Sequence, residues 1–179
     1  MKIIIVDLET TGLDTHRCAV TEVAAIEYHD DTGLCFIPHL DHIDPETDGP
    51  ALSVNRYFER KVFKSMLSMR ETQQAYRELH EKLQGNVVAG FNPRFDTNIL
   101  SRVFAEIGLA PEPWHHRLMD ISAYAAGVLA LGFSDMETLP GAHEVCDMLG
   151  VVNETPHEAI FDVMAARECL KRLQKRALG

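Results

Sequence analysis

The first forty residues carry apolar runs separated by short polar links. Residues 2–6 form a β-branched run, and residues 20–28 and 34–40 form two further apolar runs joined by a link that contains Asp and Gly. Continuous β-branched runs are typical of buried strands, and a short Asp/Gly link between two runs indicates a hairpin. The pattern therefore predicts three antiparallel strands at the start of the fold.

The rest of the chain alternates between helical and strand-like patterns. Apolar spacing predicts a helix over residues 71–83, and the run 87–91 predicts a strand followed by a helix that begins at Asn92-Pro93, with Asn92 as the N-cap. The other predicted segments are a loop over 41–50, helical pieces over 51–67, a fifth strand over 114–120, helices over 121–131 and 143–149, a loop over 132–140, and a long helix from 155 to about 175. This order favours an α/β class with a mixed sheet, and residues 1–179 fit one domain.

Composition narrows the class of protein. A hydrophobic content of 46% indicates a globular chain, and the four scattered cysteines exclude a C-x-x-C zinc or redox motif. The first apolar run is too short for a signal peptide, and residues 121–133 are too short to cross a bilayer. We therefore expect a soluble, cytoplasmic protein with no membrane partner. The net charge of −10 disfavours wrapping of long duplex nucleic acid.

Two carboxylates follow the first predicted strand. Asp7 and Glu9 are two residues apart, so on a strand their side chains point to the same face, roughly 7 Å apart. Two such charges raise each other's pKa unless a cation lies between them, and a hard divalent metal is the natural cation. A polar turn with no ligand is the simpler alternative.

Two further acidic residues lie near predicted helix starts. Asp96 falls in the first turn of the helix after Asn92-Pro93, where the helix dipole alone favours an acid. Asp162 follows His157 by five residues, and residues 155–158 read as a capping box that opens the last helix. A histidine near a metal site suits a general base, because its unperturbed pKa of about 6.5 is close to working pH.

Three motifs occur in order along the chain. They are D-x-E-T-T-G-L from Asp7, F-N-P-R-F-D ending at Asp96, and H-x-x-x-x-D ending at Asp162. Together they resemble the motifs of the DEDDh 3′–5′ exonucleases, the family of polymerase proofreading subunits, over residues 3 to about 170. The second motif departs from the family pattern, because Phe91 stands where a histidine is common.

The resemblance implies a fold, a site and a reaction. The fold would be ribonuclease-H-like, a mixed five-stranded sheet flanked by helices. Two divalent metal ions, Mg²⁺ or Mn²⁺, would bind the carboxylates, His157 would take a proton from water, and four further residues would contact the nucleotide. The metal-binding residues are Asp7, Glu9, Asp96 and Asp162, and the substrate-binding residues are Thr10, Leu13, Asn92 and Phe95.

The substrate and partners stay open at this point. The implied reaction releases nucleoside 5′-monophosphates from the 3′ end of a nucleic acid, with single-stranded DNA preferred. RNA trimming or degradation of short oligoribonucleotides is an alternative, and so is a catalytically silent binding module. Relatives often form homodimers or sit beside a polymerase. The basic residues Arg56, Arg60, Lys61 and Lys64 fit a solvated helix face and a nucleic-acid contact equally well.

Overall fold

A single mixed sheet organises the molecule. The computed structural model describes residues 1–30, 32–41, 43, 45–131 and 138–179, with the backbone alone for residues 45–48. Within these ranges five strands form the sheet in the order β3-β2-β1-β4-β5. They are β1 Ile3–Thr10, β2 Val20–Glu27, β3 Gly33–Phe36, β4 Val87–Gly90 and β5 Met119–Asp120. The first three strands are antiparallel, and β4 and β5 run parallel to β1, which confirms the predicted mixed five-stranded sheet.

Helices cover both faces of this sheet. The described helices are α1 Pro45–Val54, a 3₁₀ helix Val62–Ser65, α2 Met69–Leu83, α3 Pro93–Glu106, α4 Ile121–Val128, α5 Ala142–Leu149 and α6 Ala159–Ala177. No helix in the described part of the chain is both long and apolar enough to cross a membrane.

The central strand β1 is buried on both faces, which explains its β-branched run. Ile4, Val6 and Leu8 pack into the core formed with α2 and α3. Ile5 points the other way, into the core formed with α4, α5 and α6. Since side chains alternate along a strand, Asp7 and Glu9 share the face of Ile5 and look toward α6.

The pairing of β1 with β2 contains a bulge. Glu9 pairs with Glu22, but Thr10 pairs with Val20, so Thr21 on β2 has no partner residue on β1. Strand β1 also continues to Thr10, four residues beyond the predicted run. Asp7 and Glu9 therefore lie inside the strand rather than after it.

The predicted loop over residues 41–50 is wrong in its second half, because α1 begins at Pro45. Proline at a first helical position loses no hydrogen bond, and Leu52 near the end of α1 is buried against Tyr57 and Val62. Tertiary packing here outweighs the helix-breaking residues Gly49 and Pro50.

The predicted capping box at residues 155–158 is also wrong. Helix α6 begins at Ala159, and the buried Thr155 hydroxyl oxygen has no hydrogen-bond partner in the described chain. His157 has φ 66°, which is incompatible with a helical turn. The His157 N–H donates instead to Asp162 Oδ2 at 2.9 Å. The hydrogen-bond acceptor in this segment is therefore the Asp162 side chain and not the Thr155 hydroxyl group.

Two other boundaries differ from the prediction. Strand β5 contains only Met119 and Asp120, because its partner β4 is four residues long and pairs with it only at its end. Helix α4 ends at Val128 rather than 131. Residues 132–137 of the predicted loop 132–140 lie outside the described residues.

Candidate active site

Strand β1 supplies two carboxylates to the site. Asp7 pairs across the sheet with Ala24, and Glu9 pairs with Glu22. The Asp7 Oδ2 atom is buried and has no hydrogen-bond partner among the described residues. A buried carboxylate oxygen without a donor is costly, so this atom requires a proton or a cation.

Helix α3 brings the third carboxylate to the same edge of the sheet. Asp96 is 5% exposed, and its Oδ1 accepts the backbone N–H of Leu8 at 3.0 Å. The approach of β4 to β1 depends on Gly90, because a Cβ there would lie 2.9 Å from the Val6 carbonyl oxygen. The close approach and the turn at Asn92 (φ 53°) let α3 start beside β1.

The fourth carboxylate and the histidine come from α6 and the segment before it. Asp162 accepts hydrogen bonds from the His157 N–H at 2.9 Å and from Asn153 Nδ2 at 2.5 Å. A ring nitrogen of His157 and one carboxylate oxygen each of Glu9 and Asp162 lie within 4.8 Å of one another. The structure thus brings together the first and third motifs, although His157 lies before α6 rather than in its first turn.

The electrostatics of the site show that negative charge is poorly compensated. Burial raises the pKa of Glu9 to about 8, and the carboxylates of Asp162 and Glu22 add to that effect. Burial also raises the pKa of Asp96 to about 8. The pKa of Asp7 rises well above its ordinary value through burial first and then through the charge of Asp96. Burial raises the pKa of Asp162 as well.

This donor set fits hard divalent cations. The four side chains offer carboxylate oxygens, which Mg²⁺ and Mn²⁺ prefer over softer ligands. The Asp7 oxygen that lacks a donor and the raised pKa values both indicate charge that a cation would neutralise. The residues that would hold such ions are Asp7, Glu9, Asp96 and Asp162.

An arginine and a glutamate lie beside the site, and the sequence analysis did not predict that they pair. Arg60 makes a two-pronged ion pair with Glu22, with Nη1–Oε1 at 2.7 Å and Nη2–Oε2 at 2.9 Å. Arg60 also donates to the His157 carbonyl oxygen at 3.1 Å and pairs with Glu158 at 3.3 Å. Arg60 therefore does not lie on a solvated helix face, since its side chain is 17% exposed and pairs with two carboxylates; a nucleic-acid contact of Arg60 stays a prediction. The sequence feature that could have indicated this pair is Glu22, an acidic residue in β2 whose neighbours from Val20 to Ile26 are uncharged.

Asn55 is a second residue that sequence reasoning missed. Its side chain is buried, and Nδ2 donates to the Thr10 carbonyl oxygen at 3.3 Å. A hydrogen bond from Asn55 also lowers the pKa of Glu9, against the larger effect of burial. Asn55 therefore joins the chain after α1 to the end of β1. No motif marked it, because it follows α1 in a segment predicted only as helical pieces.

The predicted substrate-binding residues lie in different surroundings. Thr10 is buried and its hydroxyl donates to the Gly12 carbonyl oxygen at 2.8 Å, whereas Leu13 is 87% exposed. Asn92 is exposed and occupies the predicted N-cap position of α3, but its side chain makes no capping hydrogen bond. Phe95 packs partly buried against the core of α3, and Phe91 does so against the core of α6. Their contacts with a nucleotide stay predictions.

Solved structures of exonuclease I have the same fold. The chain matches exonuclease I from Methylocaldum szegediense with 19% identity and a TM-score of 0.74, over 97% of this chain and 40% of that one. It matches E. coli exonuclease I in complex with a dT13 oligonucleotide with 16% identity and a TM-score of 0.71, over 99% and 42%. A zinc-bound E. coli exonuclease I complex with single-stranded DNA matches with 18% identity and a TM-score of 0.70, over 98% and 41%. The chain thus spans about two-fifths of the length of these proteins.

A sequence profile gives the family. The family described as Exonuclease (RNase_T) matches residues 4–170, whereas the comparison with curated proteins found no match. The chain belongs to this exonuclease family, and with its D-E-D-H-D set it is a member of the DEDDh 3′–5′ exonucleases of ribonuclease-H-like fold. The family named from the three motifs is confirmed.

Proposed function

We propose that this chain removes nucleoside 5′-monophosphates one at a time from the 3′ end of single-stranded DNA, using two divalent metal ions, Mg²⁺ or Mn²⁺. The observation that carries the proposal is the convergence of four carboxylates with raised pKa values, one of which has an oxygen with no donor among the described residues. Ions bound there would activate a water and stabilise the leaving 3′ oxygen.

His157 is the general base in this proposal. It is exposed, and its ring lies beside Glu9 and Asp162, so it can reach a water held over the carboxylates. The backbone of His157 is held on both sides of its Cα atom. Its N–H donates to Asp162, and its carbonyl oxygen accepts a hydrogen bond from Arg60. These bonds orient the imidazole without occupying its nitrogen atoms, which leaves the ring available to accept a proton.

The terminal nucleotide would lie against the end of β1. Leu13 is the exposed apolar residue that would pack on the last base, and Thr10 would contact the nucleotide through its backbone. Asn92 and Phe95 would line the opposite side. Two observations support a strand end rather than long duplex, namely the net charge of −10 and the dT13 oligonucleotide in the related exonuclease I complex.

The test is digestion of 5′-labelled single-stranded DNA and of matched RNA, resolved on a gel, with Mg²⁺, Mn²⁺ or EDTA. We expect a ladder that shortens from the 3′ end with either metal, faster on DNA, and absent with EDTA. A ladder on RNA alone would mean that the substrate is RNA rather than DNA. If neither strand is digested with either metal, the chain is a binding module rather than an enzyme.

A further inference from the structure

The segment of residues 54–65 has an inner and an outer side, and we call it the arm. On the inner side Arg60 binds Glu22 and the His157 carbonyl oxygen, and Asn55 binds the end of β1. Tyr57 is 1% exposed and packs with Leu52 and Val62. These contacts hold the arm directly beside the catalytic carboxylates.

The outer side of the arm carries two exposed phenylalanines. Phe58 is 54% exposed and Phe63 is 40% exposed, although both side chains are strongly apolar. Their ring centroids are 6.4 Å apart, and the buried Tyr57 ring supports them at 5.3 and 6.2 Å. Left-handed residues at Arg56 and Lys61 turn the backbone sharply, which brings the two rings to one surface.

The arm is basic in a chain that is strongly acidic. It carries four basic residues and one acidic residue, whereas the whole chain has a net charge of −10. Arg56 pairs with Glu59 at 2.6 Å, and Arg60 is occupied by Glu22 and Glu158. Lys61 and Lys64 are exposed and make no ion pair within the described residues. Exposed aromatic rings beside free lysines have the chemistry that binds single-stranded nucleic acid.

We propose that the arm binds the nucleotides that precede the 3′-terminal one. Phe58 and Phe63 stack on bases, and Lys61 and Lys64 contact phosphates. The inference rests on the proposed exonuclease function, since it extends the same strand outward from the same site. The basic arm is complementary in charge to a polyanion, whereas a second copy of this chain docked arm to arm would bring two basic surfaces together.

The experiment compares short and long oligonucleotides. Binding of 5′-fluorescein dT3 and dT12 is measured by anisotropy with Mg²⁺ in an Asp7→Asn background. Phe58→Leu/Phe63→Leu keeps apolar volume but removes both rings, and Lys61→Gln/Lys64→Gln removes both charges. The matched control combines Met148→Ala, Lys171→Gln and Lys175→Gln, which are exposed positions on α5 and α6.

We expect the ring variant to weaken dT12 binding at least about tenfold and to leave dT3 binding nearly unchanged. The lysine variant should lower the slope of log K against log salt by about 1.4, since each phosphate contact on a single strand contributes about 0.7. The control should change neither quantity. Circular dichroism and a thermal melt confirm that each variant is folded.

Two contrary results are distinguishable. If the wild type digests dT12 but the arm variants bind dT12 like the parent, or weaken dT3 equally, the arm proposal is overturned and the exonuclease proposal stands. If the wild type digests neither dT12 nor matched RNA, and the Asp7→Asn protein binds neither oligonucleotide, both proposals fail together.

Discussion

The two halves of the candidate site are held in place by different forces. Asp7 and Asp96 lie in the half formed by β1 and α3, where the backbone of a buried strand and a helix start fix them. Glu9, His157 and Asp162 lie in the half next to α6, where the segment before the helix is held by side-chain hydrogen bonds. In the second half Arg60 bonds to the Glu22 carboxylate and to the His157 backbone.

Burial raises the pKa of the carboxylates in both halves, so their ionisation destabilises the metal-free fold. The halves differ in what positions them, because the second half depends on a few polar side-chain contacts that single substitutions remove. Changes at Asp7 or Asp96 should therefore act on metal binding and through it on turnover, whereas a change at His157 should act on the rate at an unchanged metal requirement.

The largest effect is expected from Asp7→Asn. The variant removes a buried carboxylate whose Oδ2 atom has no donor among the described residues, so turnover should fall at least about a thousandfold while the metal-free melting temperature does not fall. Steady-state digestion and a thermal melt measure the two quantities. Asp147→Asn, which changes an exposed carboxylate on α5, is the matched control. Retained activity in Asp7→Asn would contradict the assignment of the site.

A smaller loss is expected from His157→Gln in the second half. Removal of a general base should lower kcat by about 10²–10⁴-fold and leave the Mg²⁺ concentration for half-maximal rate unchanged. A Mg²⁺ titration of the rate is the measurement, with His143→Gln on α5 as the control. A large rise in the metal requirement would show that His157 is a ligand instead of a base.

A further step down is expected for Arg60→Lys. The substitution keeps the positive charge but loses the two-pronged geometry that joins Glu22 to the His157 segment. We expect kcat on dT3 to fall about tenfold with KM nearly unchanged, and urea unfolding should show whether stability is retained. An unchanged kcat in a folded variant would mean that the His157 segment holds its position without Arg60.

The smallest effect concerns pH and the metal-free protein. Burial raises the pKa of Glu9 and Asp96 to about 8 in the folded state, so the folded protein retains protons that the unfolded chain loses near pH 4. The free energy of unfolding should therefore fall as pH rises from about 4 to about 8.

Thermal melts in EDTA should show this trend as a decrease of a few degrees between pH 6 and 8, and Mg²⁺ should reverse it most strongly at pH 8. The Asp7→Asn variant should flatten the dependence. A melting temperature that rises with pH in EDTA would mean that the carboxylates ionise normally in the fold.

The sequence predicted the sheet and the five D-E-D-H-D residues, but it did not predict what holds them. The order of apolar runs was sufficient for β1 to β4, since buried strands and α3 follow local patterns. The start of α6 was misplaced because the Asp162 side chain, five residues ahead, satisfies the His157 N–H. Arg60 and Glu22 are 38 residues apart, and no local pattern reports such a pair.

The bulge opposite Glu9 has a consequence for engineering. The connection over residues 11–19 is closed at its base by the Thr11 N–H, which donates to the Ala19 carbonyl oxygen at 2.9 Å. Since the bulge at Thr21 already absorbs one unpaired residue between this closure and Glu22, insertions distal to the closure do not shift the register of the carboxylates. The connection can therefore vary in length without moving the carboxylates, provided that Leu13 and the buried Cys18 keep their places.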